Sequence, residues 1–584
     1  MSTTATEHWD HEVDVVIMGA GAAGMTAAIV SKNEGLEPLV LEKTDQVGGT
    51  SAWSVGMMWF VDSTPMQAAG FKDSFETARQ YFAATVGSSV GRSLQEAYIT
   101  QGRAALDYLL QHSELEVMAV HYPDYSPELP GGMFGRAHAP LEFDGRKLGT
   151  HFKDLRAPLP AFAPFGGMML DLPDLLHFLS VTRSVRSFVH VMKRFARYGV
   201  DRLSHHRGTR LVGGNALIAR LYKTLLDRNV DVWLRSSATK LIMEGGKVVG
   251  AEVVRDGRTL RVRARRGVVI ATGGYPGNPE MRREHSRKPT VDLTLGLTSN
   301  VGEGIRLGLS AGGRLDHNAG DTGYYVPMSV YTDEAGRTTQ WGHFMLDRPK
   351  PGFIAVGKDG KRFTNEAASY HAFTLGMFEA GAIPAFLIAD AAAVKKYGIG
   401  VILPGSRSLA RYEKAGYLFS GWTLGELAQK IGVDPSGLER SVERNNRFAV
   451  SGVDEDFGKG SSAYNVYKGD PAHSPNACIG PIERGPFYAV KLMPGDFGTS
   501  RGLVTSPVGE VLDQEDRPIP GLYACGNDMN SPVGGRYIGA GITLGPALTF
   551  GYLAAMALVE TGLAQRLGHQ PAPSPSSTQK VGLA

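Results

Sequence analysis

The chain has only two cysteines, Cys478 and Cys525, in 584 residues. That is too few for a disulfide framework or a four-Cys zinc site, and it fits a reducing compartment, so a cytoplasmic protein is expected. No window reaches about 18 uncharged apolar residues, so no segment is expected to span a membrane. The opening residues, MSTTATEHWDHEVDVV, lack a basic stretch followed by an apolar run, and no signal peptide is expected. An excess of one charge is missing too: 61 Lys and Arg stand against 58 Asp and Glu, a net +3. That balance argues against nucleic acid as a bulk electrostatic partner. No H-E-x-x-H run occurs, His205-His206 is expected as a surface pair, and no metal site is expected.

Glycine is what the chain has in plenty, with 74 residues in clusters, which suggests backbone close to a ligand at several places. The length is too great for one core, so two large domains are expected. VDVVIMGAGAAGMTAAIV carries the first cluster. Val13–Met18 has the composition of a buried strand, and Gly19, Gly21 and Gly24 form G-x-G-x-x-G at the mouth of a helix. The first glycine permits the tight turn, the second lets a pyrophosphate approach the backbone, and the third lets helix meet strand. The pyrophosphate would lie on the helix N-terminus, at Ala22 and Ala23, where free N–H groups and the helix dipole favour negative charge. A second strand, EPLVLEK, leads to Glu42, 18 residues beyond Gly24, where an acid should hold ribose hydroxyls.

The residues just after Glu42 separate the dinucleotides. EKTDQVGGTSAWSVGMMW puts Lys43 beside the acid and Gly48, Gly49, Thr50 and Ser51 soon after. Here the sequence resembles the large FAD enzymes of the fumarate reductase and 3-ketosteroid dehydrogenase group, whose corresponding run lies against the flavin. GVVIATGGYPGN, with Ala271, Thr272 and Gly273, and IPGLYACGNDMN, with Gly526 and Asn527, fit the same resemblance. It implies an α/β fold: a Rossmann-like FAD-binding domain split in sequence, with an α+β catalytic or cap domain inserted. The expected division is 1–283 and 491–567 for FAD binding, 284–490 for the catalytic part, and 568–584 as a Pro/Ser-rich disordered tail. DVWLRSSATKLIMEGGKVVGAEVV reads as a strand followed by a hairpin with Gly245-Gly246 at its turn. The family's layout implies that Ala238 within it meets the adenine. Covalently flavinylated relatives carry a histidine in the segment that reads KTDQVGGTSA here, so noncovalent FAD is expected.

Residues 171–210 depart from the compact members of the steroid dehydrogenase group as a helical insertion. Leu175, Leu176, Leu179, Val181, Val185, Phe188, Val191 and Phe195 recur at helical spacing, while Arg183, Arg186, Lys193, Arg194 and Arg197 supply positive charge. Such a helix can dock peripherally on a membrane, here the inner face of the cytoplasmic membrane, or pack on its own protein or another subunit with a solvated basic face.

A flavin supplies hydride transfer, and the protein supplies position, proton handling and charge stabilisation. Three tyrosine-bearing segments look like a 3-ketosteroid Δ1-dehydrogenase: YPDY with Tyr125, RFTNEAASY with Tyr370, and RYIGAG with Tyr537 and Gly541. The resemblance implies a hydrogen-bonded Tyr125–Tyr370 pair, with Tyr370 as the base that takes the C2 proton. It implies that Tyr537 and the Gly541 N–H hold the ketone of a 3-ketosteroid, and that Leu544 faces the flavin. Ala540 stands where Δ1 enzymes usually have proline, so a 3-keto-5α-steroid Δ4-dehydrogenase is the alternative. The HRLGG-like segment expected of a fumarate- or urocanate-type reductase does not occur in this sequence, and a non-catalytic flavin or steroid binder would not need the four positions. Cys525 is expected to pack and Arg536 to anchor its loop or pair with a carboxylate. The sequence does not identify the electron acceptor.

Overall fold

The first strand, β1 (His11–Met18), forms because its second half, Val15 to Met18, is buried side by side, as a strand covered on both faces requires. It ends at Gly19, whose φ of +111° favours glycine; a Cβ there would lie 2.2 Å from the Ala271 carbonyl oxygen. α1 (Ala22–Asn33) starts from Gly21 with no side-chain cap, leaving its N-terminus open. Gly24 brings α1 onto the strand end, since a Cβ would sit 2.0 Å from Gly19 O.

The structure is a computed structural model that describes residues 8–87, 91–160, 163–181, 184–290, 292–317, 320–406, 408–560 and 563. The expected tail at 568–584, Arg183 and the side chain of Leu179 lie outside the described residues.

The first half of the chain continues with β2 (Pro38–Leu41), β3 (Asp231–Trp233), β4 (Ser236–Glu244), β5 (Lys247–Arg255) and β6 (Arg258–Ile270). A second, antiparallel sheet comes next, made of β7 (Gly323–Thr332), β8 (Thr338–Gly342), β9 (Phe353–Val356), β10 (Ala385–Asp390), β11 (Leu418–Gly421) and β12 (Phe487–Thr499). Its order is β8–β7–β12–β10–β9, with β11 also on β12. β13 (Glu510–Leu512) and β14 (Pro518–Ala524) then return to the first sheet, whose order is β13–β14–β6–β1–β2–β3, with β5 on β6 and β4 on β5. β1 runs parallel to both neighbours, Val16 pairing with Val268 on one side and Leu39 on the other. This is the split α/β fold expected from the sequence. The β4–β5 hairpin turns at Gly245 and Gly246, both at positive φ.

Residues 171–210 form two helices rather than one. α2 (Leu172–Leu179) opens with a capping box between Asp171 and Asp174, and α3 (Val185–Ser204) is capped by Ser184. Three further helices carry or flank the site: α4 (Tyr370–Glu379), α5 (Ala463–Lys468) and α6 (Leu544–Val559). α6 packs against α1 at Gly551, where a Cβ would lie 2.6 Å from Ala23 O. Among the described residues no helix is long and apolar enough to cross a membrane.

Candidate active site

A cleft of about 590 Å³ opens at the carboxyl ends of β1, β2 and β6. Its wall includes Gly19, Gly21, Ala22, Ala23, Glu42, Lys43, Gly49, Thr50, Ser51, Ala238, Ala271, Thr272, Gly273, Gly526, Asn527 and Leu544. These are the cofactor positions expected from the sequence except Gly24 and Gly48, whose work is in the backbone. Gly24 allows the helix–strand contact described above, and Gly48 turns at φ +116° against Ala52 and Ile218.

The wall fits a dinucleotide. A Cβ on Gly21 would meet only Ser51 Oγ, at 3.7 Å, and would otherwise enter the cleft over the open end of α1. Glu42 is buried and accepts from the N–H groups of Ala20 and Thr44, which fixes it beneath that turn. Arg156 Nε and Ser299 Oγ are buried polar atoms without hydrogen-bond partners among the described residues, and both residues face the cleft. Such orphaned groups call for a ligand's acceptors and donors. Arg156 and Ser299 carry no signal in the sequence, because nothing in the glycine motifs predicts which loops close over them.

The far end of the cleft, at Thr543, Leu544, Tyr324 and Phe497, abuts a cluster of tyrosines. The Tyr125 and Tyr370 hydroxyls are 2.9 Å apart. The Tyr537 ring centroid lies 5.6 Å from that of Tyr125 and 5.3 Å from that of Tyr370. Tyr370 is the first residue of α4, behind the cap Ser369, which accepts from Ala372 N. Three segments far apart in sequence thus converge on one point.

Each is held by its neighbours. Tyr125 N donates to Ile538 O at 2.9 Å, and Tyr81 OH donates to the same oxygen at 2.7 Å. Asp124 accepts from Trp59 Nε1, Met133 N and Arg136 Nη1, while Arg136 also pairs with buried Asp73. Asp321 joins the other two segments. It accepts from His371 Nε2 at 3.2 Å and pairs with Arg536 at 3.3 Å, and these residues adjoin Tyr370 and Tyr537. His371 Nδ1 accepts from Tyr325 N, so its proton is on Nε2, facing the carboxylate. Arg536 therefore anchors its loop, as expected. Asp124, Arg136 and Asp321 were invisible in the sequence: each is an ordinary charged residue until the fold surrounds it.

Burial pushes the Tyr370 phenol well above its ordinary value and Tyr537 adds to that, while the hydrogen bond from Tyr125 pulls it back. Burial also raises Tyr537, opposed by the Tyr370 and Thr543 hydroxyls and by the Gly541 N–H. Gly541 sits at φ +96° with its carbonyl accepting from Trp59 N and Gly545 N. The walls around this point are apolar: Met57, Leu293, Leu295, Val326, Phe344 and Phe497.

Cys525 is buried and its thiol is raised by desolvation, consistent with packing rather than reactivity. Among the described residues no group of three His, Cys, Asp or Glu could hold a metal ion.

In the insertion, Arg194 and Arg197 do not form the expected solvated basic face. Arg194 pairs with Asp174 and Arg197 with Glu142, while Arg210 reaches Asp171, Asp174 and Glu142. Val191 is buried, whereas Val185, Phe188, Val189, Met192, Val200 and Leu203 are exposed, Leu203 at 87%. Arg186, Lys193 and Arg202 remain exposed beside them.

The family described as FAD binding domain matches residues 14–544. A 3-oxosteroid 1-dehydrogenase of Mycolicibacterium smegmatis is 37% identical over 575 residues, covering 95% of this chain and 99% of that one. A 4-oxocyclohex-2-ene-1-carboxylate 5-dehydrogenase of Sinomonas cyclohexanicum is 35% identical, covering 97% of each chain. The crystal structure of 3-ketosteroid delta1-dehydrogenase from Sterolibacterium denitrificans, in complex with 1,4-androstadiene-3,17-dione, superposes with a TM-score of 0.87 at 36% identity. That superposition covers 94% of this chain and 99% of the other.

Proposed function

The chain belongs to the family of FAD-binding flavoproteins that includes the 3-oxosteroid 1-dehydrogenases, and from that premise we propose that it introduces the C1=C2 double bond into 3-ketosteroids. The observation that carries this reading is the convergence of Tyr125, Tyr370 and Tyr537 at the end of the dinucleotide cleft. FAD held in that cleft supplies the acceptor for the hydride leaving C1.

This chain's own residues handle the proton and the ketone. The Tyr537 phenol and the Gly541 N–H converge, and together they would donate to the C3 oxygen as negative charge builds there. A donor of this kind is worth roughly 2.7–4 kcal/mol. Tyr370, as phenolate, takes the C2 proton, and the Tyr125 hydroxyl donates to that phenolate to favour it. The apolar walls exclude water, which strengthens both interactions.

Those walls also favour a fused apolar ring system over a carboxylated cyclohexanone. A buried carboxylate needs a cation; the Arg536 guanidinium is already turned to Asp321, and the Lys468 ammonium lies against the Tyr122 and Tyr464 rings, behind the tyrosines. The test is anaerobic mixing of the yellow holoenzyme with androst-4-ene-3,17-dione, a 5α-3-ketosteroid or 4-oxocyclohexanecarboxylate. Flavin bleaching with a 1-ene product from the steroids is expected. Bleaching by the carboxylate alone transfers the reading to that substrate class, and a 4-ene product without a 1-ene product transfers it to Δ4 chemistry. No bleaching by any of them overturns dehydrogenation.

Tyr537→Phe removes one of two ketone donors and is expected to lower kcat/KM about a hundredfold with FAD content unchanged. A loss confined to FAD content would make the residue structural.

The exposed apolar row on α3, with Arg186, Lys193 and Arg202 beside it, is complementary to an anionic lipid surface. We read it as a peripheral membrane contact. Phe188→Ser with Leu203→Ser is expected to abolish co-sedimentation with phosphatidylglycerol-containing vesicles while leaving turnover of a soluble steroid intact. Unchanged sedimentation would refute the contact. Point changes are the right tool, because deleting residues 171–210 would leave Glu142 without its Arg210 partner.

A further inference from the structure

Behind the tyrosines lies a buried cation that the chemistry above does not use. Lys468, the last residue of α5, is 5% exposed. Its Nζ lies 4.3 Å from the ring centroid of Tyr122 and 5.7 Å from those of Tyr464 and Tyr467. Its ammonium donates to Met345 Sδ at 3.8 Å, a weak acceptor. Among the described residues it forms no ion pair with a carboxylate. The charged groups acting on it are two more cations, Lys350 and Arg348.

A lysine is rarely buried unless paired, and an uncompensated buried charge is strongly unfavourable. Aromatic faces offset part of that penalty, but the arrangement makes most sense if negative charge arises nearby. The phenols lead there. The Tyr464 and Tyr122 rings lie 4.8 Å and 6.4 Å from the ring of Tyr125, whose hydroxyl touches that of Tyr370. The guanidinium of Arg348, fully buried, donates to the carbonyl oxygens of His343, Phe344, Glu366 and Ala368, and it acts through space on Tyr370 and Tyr464.

We propose that Lys468 is an electrostatic positioning residue for the base: its buried ammonium favours the state in which Tyr370 carries negative charge, and so sets the pH at which proton abstraction begins. The proposal rests on the reading of Tyr370 as the base. The compartment contains one site that resists a negative charge and one that resists a positive charge. Burial raises the Tyr370 phenol, and burial with Lys350 and Arg348 lowers the Lys468 ammonium to about 7. A proton lost by Tyr370 and held by Lys468 leaves the net charge unchanged, since a phenol and an amine become a phenolate and an ammonium. Each charge then stabilises the other in a medium of low polarity.

The other titratable groups facing the pair are few. On the Tyr370 side they are Tyr125, Tyr464 and Tyr537, with the charged Arg348 guanidinium. On the Lys468 side they are Tyr122, Tyr464 and Tyr467 with the two cations. Asp347, Asp470 and Cys478 act on Lys350, and Asp347 and Glu366 on Arg348.

The decisive variants are Lys468→Met, which keeps the shape, and Lys468→Arg, which keeps the charge. In the holoenzyme, Lys468→Met is expected to move the acidic limb of the kcat profile up by at least about one pH unit. That is about a tenfold loss below the limb, recovered at higher pH, with FAD content and KM unchanged. Lys468→Arg should keep the limb near its wild-type position. A Lys468→Met profile that superimposes on wild type, or that falls in parallel at every pH, overturns the proposal. If Lys468→Met does not hold FAD, Lys468→Gln against Lys468→Arg decides the same question by the same limb. A titration of the near-ultraviolet tyrosinate band, taken as wild type minus Tyr370→Phe, tests the electrostatics without substrate. Its midpoint should rise in the neutral variant, and an unchanged midpoint overturns the proposal even if the holoenzyme turns over no steroid. Failure of wild type to dehydrogenate steroids would instead count against the proposed reaction.

Discussion

Tyr370→Phe is expected to lose about three to four orders of magnitude in kcat while retaining FAD and substrate binding, the upper part of the range that a positioned base supplies. The substitution removes a single oxygen, and the Phe344 and Phe497 rings that pack on Tyr370 edge-on keep their contacts. The fold around it is secured independently, by Ser369 capping α4 and by Asp321 holding His371. What disappears is the oxygen that is hydrogen-bonded to Tyr125 and lies beside Tyr537 as well. Stopped-flow flavin reduction separates the steps: the steroid should still perturb the oxidised spectrum, and bleaching should become slow. Reduction within tenfold of wild type would remove Tyr370 from the base role.

Gly541→Ala is expected to cost about two to three orders of magnitude in kcat/KM, more than Tyr537→Phe. Two causes add. The residue lies at φ +96°, where an alanine is strained. Its Cβ would also lie 2.4 Å from Met58 N and 2.5 Å from the carbonyl carbon of Met57, so backbone must move rather than a flexible side chain. That movement displaces the Gly541 N–H and pulls on the 538–541 segment that accepts from Tyr125 and Tyr81. FAD is expected to stay bound, because Gly541 does not line the cleft and its neighbours in sequence contribute only Thr543, Leu544 and Ala547 to the wall. Flavin absorbance after gel filtration, read beside turnover, checks both halves. An active Gly541→Ala enzyme would show that the ketone clamp does not include this N–H.

Much of the cofactor cleft was legible in the sequence because its signals are local. A dinucleotide turn needs glycines at fixed spacing after an apolar strand, and those constraints act within about thirty residues. The tyrosines were legible only through resemblance: among 21 tyrosines, nothing in spacing singles out Tyr125, Tyr370 and Tyr537. The insertion divided along the same line. Its helical periodicity was plain, yet which bases faced solvent depended on Asp174 and Glu142, one from the helix pair itself and one from outside it.

The sequence by itself determined the strand–turn–helix of β1 and α1 and the acid at Glu42. Each arises from backbone requirements that a few neighbouring residues meet. Only the tertiary structure decided that Asp321 ties two of the tyrosine segments together, that Arg136 and Asp124 brace the third, and that Lys468 lies behind the phenols with no carboxylate partner among the described residues. Those properties belong to charges removed from water, and burial is made by segments distant in sequence. A lysine or an aspartate carries no sign of it until the chain has folded around it.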